Sequence, residues 1–186
     1  MDPDDILLET EGAMEKAYEY MQHEFSAVRT GKASPALVEN IDVEAYGTPM
    51  KLKQLAVIST PEPRMLVVQP FDASTTKDIE KAIKESKLGI NPITDGKIIR
   101  LPIPPLTEER RKDLVKGIKQ MAEEVRVRIR SARRDGMEGM KKLEKAGDVS
   151  EDDLKRYEGE IQKLTDQFTR RIEEGLEAKE ADIMKV

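Results

Sequence analysis

The stretch LVKGIKQMAEEVRVRIRSARRDGMEGMKKLEKAG, residues 114–147, decides how this chain folds. Its apolar residues Leu114, Ile118, Met121, Val125, Ile129 and Ala132 recur at spacings of four, three, four, four and three. That is the stripe of an amphipathic helix. The pattern continues through Met140 and Leu143 to Gly147, a residue suited to the position that closes a helix. Upstream, Thr107 is placed to cap the helix, with Glu108 and Glu109 favourable in its first turn. Downstream, Ser150 is placed to cap another, with Glu151, Asp152 and Asp153 against its positive end. Leu154, Tyr157, Ile161, Leu164, Phe168, Ile172 and Leu176 then follow at near-heptad spacing. At about 1.5 Å per residue, two such helices span roughly 50 to 60 Å.

Neither helix can bury its stripe alone, and the short Ala-Gly-Asp-Val link makes them antiparallel neighbours. The third partner comes from the other end of the chain. Residues 4–29 read as a helix with Met14, Ala17, Met21, Phe25 and Val28 on one face, and Gly12 is expected to weaken its first turns. A three-helix bundle built from both chain ends is therefore predicted, with everything between inserted.

The insert has a different grammar. VENIDVEAYG, LKQLAVIST and RMLVVQPF read as three strands. STTKDIEKAIKES reads as a short helix capped by Ser74, with Ile79 and Ile83 on one face. GINPITDGKIIRLPIP reads as two strands around Asp95-Gly96. The expected class is thus α+β with two domains: 1–30 plus 106–186 as bundle, and 31–105 as a small inserted unit. The crossings RTGKASP and LPIPPLT, near 29–34 and 102–106, carry breakers, and Pro102, Pro104 and Pro105 stiffen the second. Side by side they have the character of a hinge, with rigid docking as the alternative.

Composition narrows the chemistry. Hydrophobic residues are 38%, charged residues 37% and aromatics 4% of the chain, which suits either disorder or long thin helices, and the periodicity selects the helices. No cysteine is present, which removes disulfides, thiolate metal sites and thiol nucleophiles. No apolar run approaches the roughly 20 residues of a membrane helix, and the acidic start lacks a signal peptide's basic region. A cytoplasmic protein is expected. His23 lies off the core stripe and reads as an exposed helix residue. Helix capping explains the acidic cluster at 150–153 better than a metal does, and Gly31-Lys32 lacks the upstream glycine of a phosphate loop. No metal, cofactor or catalytic constellation is expected.

The net charge of -5 hides a basic stretch: residues 107–134 hold ten basic and five acidic side chains. A polyanion meets the local field, because screening limits its reach to about 8 Å at physiological salt. Within RVRIRSARRD, residues 126–135, Arg126, Arg130 and Arg133 each follow a core residue by one position and share a second stripe. Arg134 extends it, Arg128 lies nearer the opposite side, and Arg110, Arg111, Lys112, Lys116 and Lys119 add charge near the helix start. Guanidinium forks suit bidentate phosphate contacts and base stacking. The competing reading is a solvated face paired with acids such as Glu158, Glu160 and Asp166 of the last helix.

Three segments go further. RTGKASPALVENIDVEAYGTPMKLKQLA, GINPITDGKIIRLPIPPLTEERRKDLVK and RIRSARRDGMEGMKKLEKAGDVSEDD closely resemble the bacterial ribosome recycling factor family, over essentially the whole chain. The resemblance implies an L-shaped protein, a three-helix bundle carrying a smaller β/α/β domain on a flexible two-stranded hinge. It implies no catalysis by the factor itself. The implied role is to bind the post-termination ribosome and, with elongation factor G and GTP, to split the subunits and free mRNA and tRNA. It places the bundle on large-subunit ribosomal RNA, with Arg130 and Arg133 as the main contacts, Arg134 beside them and Arg126 on the same stripe. Arg29, Arg110 and Arg111 match further contact positions, and Thr30, Gly31, Pro104, Pro105 and Leu106 fall in the hinge. Lys32 stands where many members have arginine, and Ser131 where many have asparagine. A monomer without membrane contact is expected. A helical adaptor using apolar bundle tips is the alternative, and an enzyme in the α+β unit is the weakest.

Overall fold

The computed structural model describes residues 2–185. These form two compact units, residues 2–29 with Glu108–Lys185, and Thr30–Thr107. The architecture is α+β, and each unit has its own core.

The first unit is three helices, beginning with α1 (Pro3–Ala27). The helix runs through Gly12 without a break, and its start is capped. Asp2 and Asp5 form a capping box, each carboxylate accepting the other's backbone N–H at 3.0 Å. Pro3 occupies the first turn, where its missing N–H costs nothing. The buried face also reaches further than the Met14 stripe, because Ile6 and Thr10 extend it toward the N-terminus.

In the small unit, the chain passes through a 3-10 turn (Pro35–Leu37) into hairpin β1 (Asp42–Ala45) and β2 (Thr48–Lys51). Its two-residue turn is Tyr46-Gly47, both at positive φ (53° and 76°). A single helical turn, α2 (Leu52–Leu55), follows where the sequence suggested the start of a strand; Leu52 and Leu55 are both buried by it. Then come β3 (Ala56–Glu62), β4 (Met65–Pro70), a second 3-10 turn (Ala73–Thr75), α3 (Thr76–Glu85), β5 (Ile93–Asp95) and β6 (Ile98–Pro102). The four later strands make an antiparallel sheet in the order β3-β4-β6-β5.

The cap before α3 is not Ser74. The N-cap position of α3 is Thr75, which makes no side-chain capping bond, and Asp72 caps the preceding 3-10 turn instead, its carboxylate accepting the Ser74 N–H at 2.9 Å. The core is aliphatic, with Val38, Val43, Leu52, Leu66, Val68, Ile79, Ile83, Ile99 and Leu101 all fully buried. Both connecting segments are tied to the β3–β4 turn: Ala33 N–H donates to the Pro63 carbonyl (2.7 Å) and Ile103 N–H to that of Arg64 (2.8 Å).

The bundle is completed by α4 (Glu108–Ala146) and α5 (Glu151–Met184). At about 1.5 Å per residue, the 39 residues of α4 extend roughly 58 Å. α4 closes as the glycine required. Gly147 sits at φ 79°, its N–H reaches the Glu144 carbonyl, and the Asp148 N–H reaches that of Leu143, both at 2.9 Å. Ser150 caps α5 by accepting the Asp153 N–H at 3.1 Å.

Met14, Ala17, Met21 and Phe25 pack against Ile118, Ala122, Val125, Ile129, Phe168 and Ile172. A smaller cluster of Ile6, Met140, Tyr157 and Ile161 continues along the bundle. Each large apolar side chain removed from water here contributes about 1.5–3 kcal/mol. α1 is further clasped to α5 by Arg171. Its guanidinium binds Glu15 through both oxygens (2.9 and 3.1 Å) and lies over the Tyr18 and Phe168 rings.

Candidate nucleic-acid interface

The arginines of α4 follow from its register. Val125, Ile129 and Ala132 are buried, so Arg126, Arg130 and Arg133 rise together along the flank beside α5. One carboxylate organises two of them. Glu123 accepts from Arg130 Nη2 at 2.8 Å and from Arg126 Nη1 at 3.1 Å. These hydrogen bonds, that of Arg130 foremost, hold the Glu123 carboxyl below the ordinary glutamate value. Arg133 Nε donates to the Gln162 side-chain oxygen at 2.8 Å, and Gln162 in turn donates to Asp166 at 2.9 Å. Arg134 is exposed, with Asp135 at 3.8 Å.

The acids proposed to neutralise the stripe from the last helix therefore do little of that work. Asp166 reaches Arg133 only through an amide, and Glu158 faces Lys141 at 3.9 Å. Pairing is instead local and incomplete, since one carboxylate serves two guanidinium groups. Arg130 remains 59% exposed and Arg126 only 25%, so Arg130 is the more available of the pair.

Other expected positions lie apart. Arg110 and Arg111 occupy the first turn of α4, about 24 Å along the axis from Arg126 at the α-helical rise. Arg29 stands just beyond α1, and its Nε and Nη2 are buried without a hydrogen-bond partner among the described residues. In the small unit, Thr30, Gly31, Pro104, Pro105 and Leu106 fall in the segments flanking the sheet. Gly31 holds φ 81°, and a Cβ there would meet Leu106 Cγ at 3.4 Å, so these two crossings run against each other. His23 is exposed on α1, and no group of three or more metal-ligating side chains occurs among the described residues. Among the described residues, no helix is long and apolar enough to cross a membrane.

The helical period shows the arginines but not the groups that hold them. Glu123 lies three and seven residues before the two arginines it holds. Gln162 is 29 residues from Arg133 and carried no signal. Nor did the contact of Arg128 on α4 with Tyr20 on α1, whose guanidinium carbon lies 4.3 Å from the ring centroid.

Comparison with known proteins gives this basic helix its context. A family model described as ribosome recycling factor matches residues 21–184. The chain belongs to the ribosome recycling factor family. Among relatives of that name, the protein of Akkermansia muciniphila is 57% identical over 188 residues, covering 100% of both chains. That of Rubrobacter xylanophilus is 52% identical, covering 97% of each. The solution structure of a ribosome recycling factor matches all of this chain and 99% of its own, at 45% identity and a TM-score of 0.70. A second match, at 46% identity, a TM-score of 0.61 and full coverage of both chains, comes from models for the T. thermophilus ribosome recycling factor and the E. coli elongation factor G bound to the E. coli post-termination complex.

Proposed function

We propose that this chain recycles ribosomes after termination. It binds the post-termination ribosome through large-subunit ribosomal RNA and, with elongation factor G and GTP, promotes subunit splitting and release of mRNA and tRNA. The observation that supports its mode of attachment is the row of held but incompletely neutralised guanidinium groups on α4. Groups already fixed by Glu123 and Gln162 lose less freedom on binding, and forks of this kind match phosphate oxygens. Arg130, Arg133 and Arg134 are the primary contacts, with Arg126 behind them. Arg29, Arg110 and Arg111 are further contacts toward the α4 start. Thr30, Gly31, Pro104, Pro105 and Leu106 act as the hinge.

The protein works by binding and displacement, without catalysing a reaction, as a cytoplasmic monomer. Elongation factor G supplies the energy, and the long bundle transmits displacement to the contacts between subunits.

Co-sedimentation with bacterial ribosomes over a salt series tests this reading. Wild type should pellet at low salt and release steeply as salt rises. Arg130→Ala/Arg133→Ala should bind less and lower the slope of log affinity against log salt by about two, at about one per lost phosphate contact. Equal, salt-independent pelleting of both, with helical circular dichroism intact, would remove the arginine stripe from the interface.

A further inference from the structure

The bundle carries five of the chain's seven aromatic residues. Phe25, Tyr157 and Phe168 are buried, and Tyr18 is half-buried under Arg171. Tyr20 is the exception. It is exposed on α1 and covered by the guanidinium of Arg128, which is itself exposed. Arg128 is also unlike its neighbours on α4. Arg126 and Arg130 are held by a carboxylate and Arg133 by an amide, whereas Arg128 lies over a ring, its guanidinium carbon 4.3 Å from the centroid.

Helix geometry sets where this pair stands. At about 100° per residue, Val127 lies opposite the buried stripe of Val125, Ile129 and Ala132. It is 52% exposed, with Arg134 and Ser131 to either side. Arg130 flanks that outer ridge toward α5, and Arg128 flanks it toward α1. The ridge thus has a held guanidinium along each edge. On the α1 edge, Lys16, Arg128, Ser131 and Asp135 surround a shallow groove whose floor is Ala13, Ala17 and Ala132.

The chemistry of the two edges differs. Toward α5, cations outnumber the carboxylate that holds them, which suits phosphates. Toward α1, Lys16 and Arg128 are offset by Asp135 and by Glu124, one turn before Arg128. Charge alone gives a phosphate little reason to settle there. A planar guanidinium backed on one face by an aromatic ring is instead a platform for a third flat group, and unpaired RNA bases stack on such planes. The small-residue floor leaves room beside it.

We propose that Arg128, laid on Tyr20, is a second RNA-contact edge of α4 that receives an unpaired nucleobase by stacking. The proposal rests on the ribosomal RNA reading above and extends it to a face that the Arg126, Arg130 and Arg133 stripe does not reach. Arg128 contributes a plane here more than a charge, and Tyr20 is a positioning residue that holds the plane in place.

The test is ribosome binding by the full chain over a salt series, with base-specific chemical probing of the bound ribosomal RNA. Arg128→Lys keeps the charge and removes the plane. Tyr20→Leu keeps both charges and removes the support, and Tyr20→Phe keeps the ring. Arg128→Lys and Tyr20→Leu should each weaken binding by about tenfold, within the range measured for base stacking on protein side chains. The salt slope should stay unchanged, and one base protected by wild type should become reactive. Tyr20→Phe should bind as wild type.

Wild-type affinity and protection in Arg128→Lys would overturn the proposal, whatever Tyr20→Leu does to packing. A loss confined to Arg128→Ala, with a lower salt slope, would make the contact a phosphate and overturn it equally. Arg130→Ala/Arg133→Ala separates the two readings. If that variant loses binding while Arg128→Lys does not, the ribosomal RNA reading stands and this one falls. If wild type itself fails to bind, both fall.

Discussion

Thr10 of α1 occupies the space that a side chain at Gly136 of α4 would need. A Cβ at 136 would overlap Thr10 Oγ1 and press on Thr10 Cγ2 and Ile161 Cδ1 (3.2 and 3.3 Å). Thr10 has little freedom to retreat, because its hydroxyl donates to the Ile6 carbonyl at 2.7 Å. The two helices approach closely because residue 136 has no side chain.

Gly136→Ala should therefore destabilise the bundle, by about 1–3 kcal/mol as for other overpacked cores, although alanine is the better helix former. Thr10→Ala should recover part of that loss in the double variant, giving a coupling that a double-mutant cycle in urea would measure. Gly159, on α5 with nothing within 4 Å of its missing Cβ, is the control. Gly159→Ala should stabilise by roughly 0.5–1 kcal/mol.

Gly31 makes the opposite demand on the backbone. Its φ of 81° lies in the left-handed region that side chains disfavour. Gly31→Ala should cost about 1 kcal/mol through backbone strain. Thermal unfolding is the measurement, and unchanged stability would mean that the segment relaxes to another conformation.

Glu123 sets the charge of the arginine stripe. Its carboxyl is held below the ordinary value of 4.5, first by Arg130 and then by Arg126. A depressed carboxylate contributes in its ionised form, so the clamp is complete above that ordinary value. It is lost as pH falls through the lower folded one. Arg130→Ala should move the Glu123 titration upward, as followed by carboxyl carbon NMR. Glu123→Gln should keep an amide oxygen to hold the guanidinium groups while removing their counter-charge, and so raise ribosome association at low salt.

Tyr46 and Asp72 form the corresponding pair in the small unit, where the phenol donates to the carboxylate at 2.6 Å. The bond raises the Tyr46 pKa above 10.0 and lowers that of Asp72 below 3.8. The pair is intact between those ordinary values. It is lost as pH rises through the folded tyrosine value or falls through the folded aspartate value. In Asp72→Asn the tyrosine should ionise at lower pH than in wild type, visible as phenolate absorbance. An unchanged titration would show that the bond is not kept in solution.

Long-range regularity was legible in the sequence. The stripe from Leu114 to Ala132, the glycine stop at 147 and the serine start at 150 specify two long helices, because each turn repeats the same demand. The basic flank of α4 was legible for the same reason, since helical register alone puts Arg126, Arg130 and Arg133 one step beyond buried residues. Short elements were not. Leu52–Leu55 resembles a strand by composition, yet four residues hold too little pattern to compete with the burial that a helical turn gives Leu52 and Leu55. Val38 was read within a strand and is instead buried just after a 3-10 turn.

What the sequence by itself determined is the helical frame, the inserted α+β unit and the side of α4 that carries positive charge. Only the tertiary structure decided which group of another helix holds an arginine: Gln162 for Arg133 and Tyr20 for Arg128. It also decided that Thr10 must face a glycine. The physical reason is the range of the interactions. Periodicity is a local property repeated along one helix, whereas these are single contacts between residues that meet only when different helices pack.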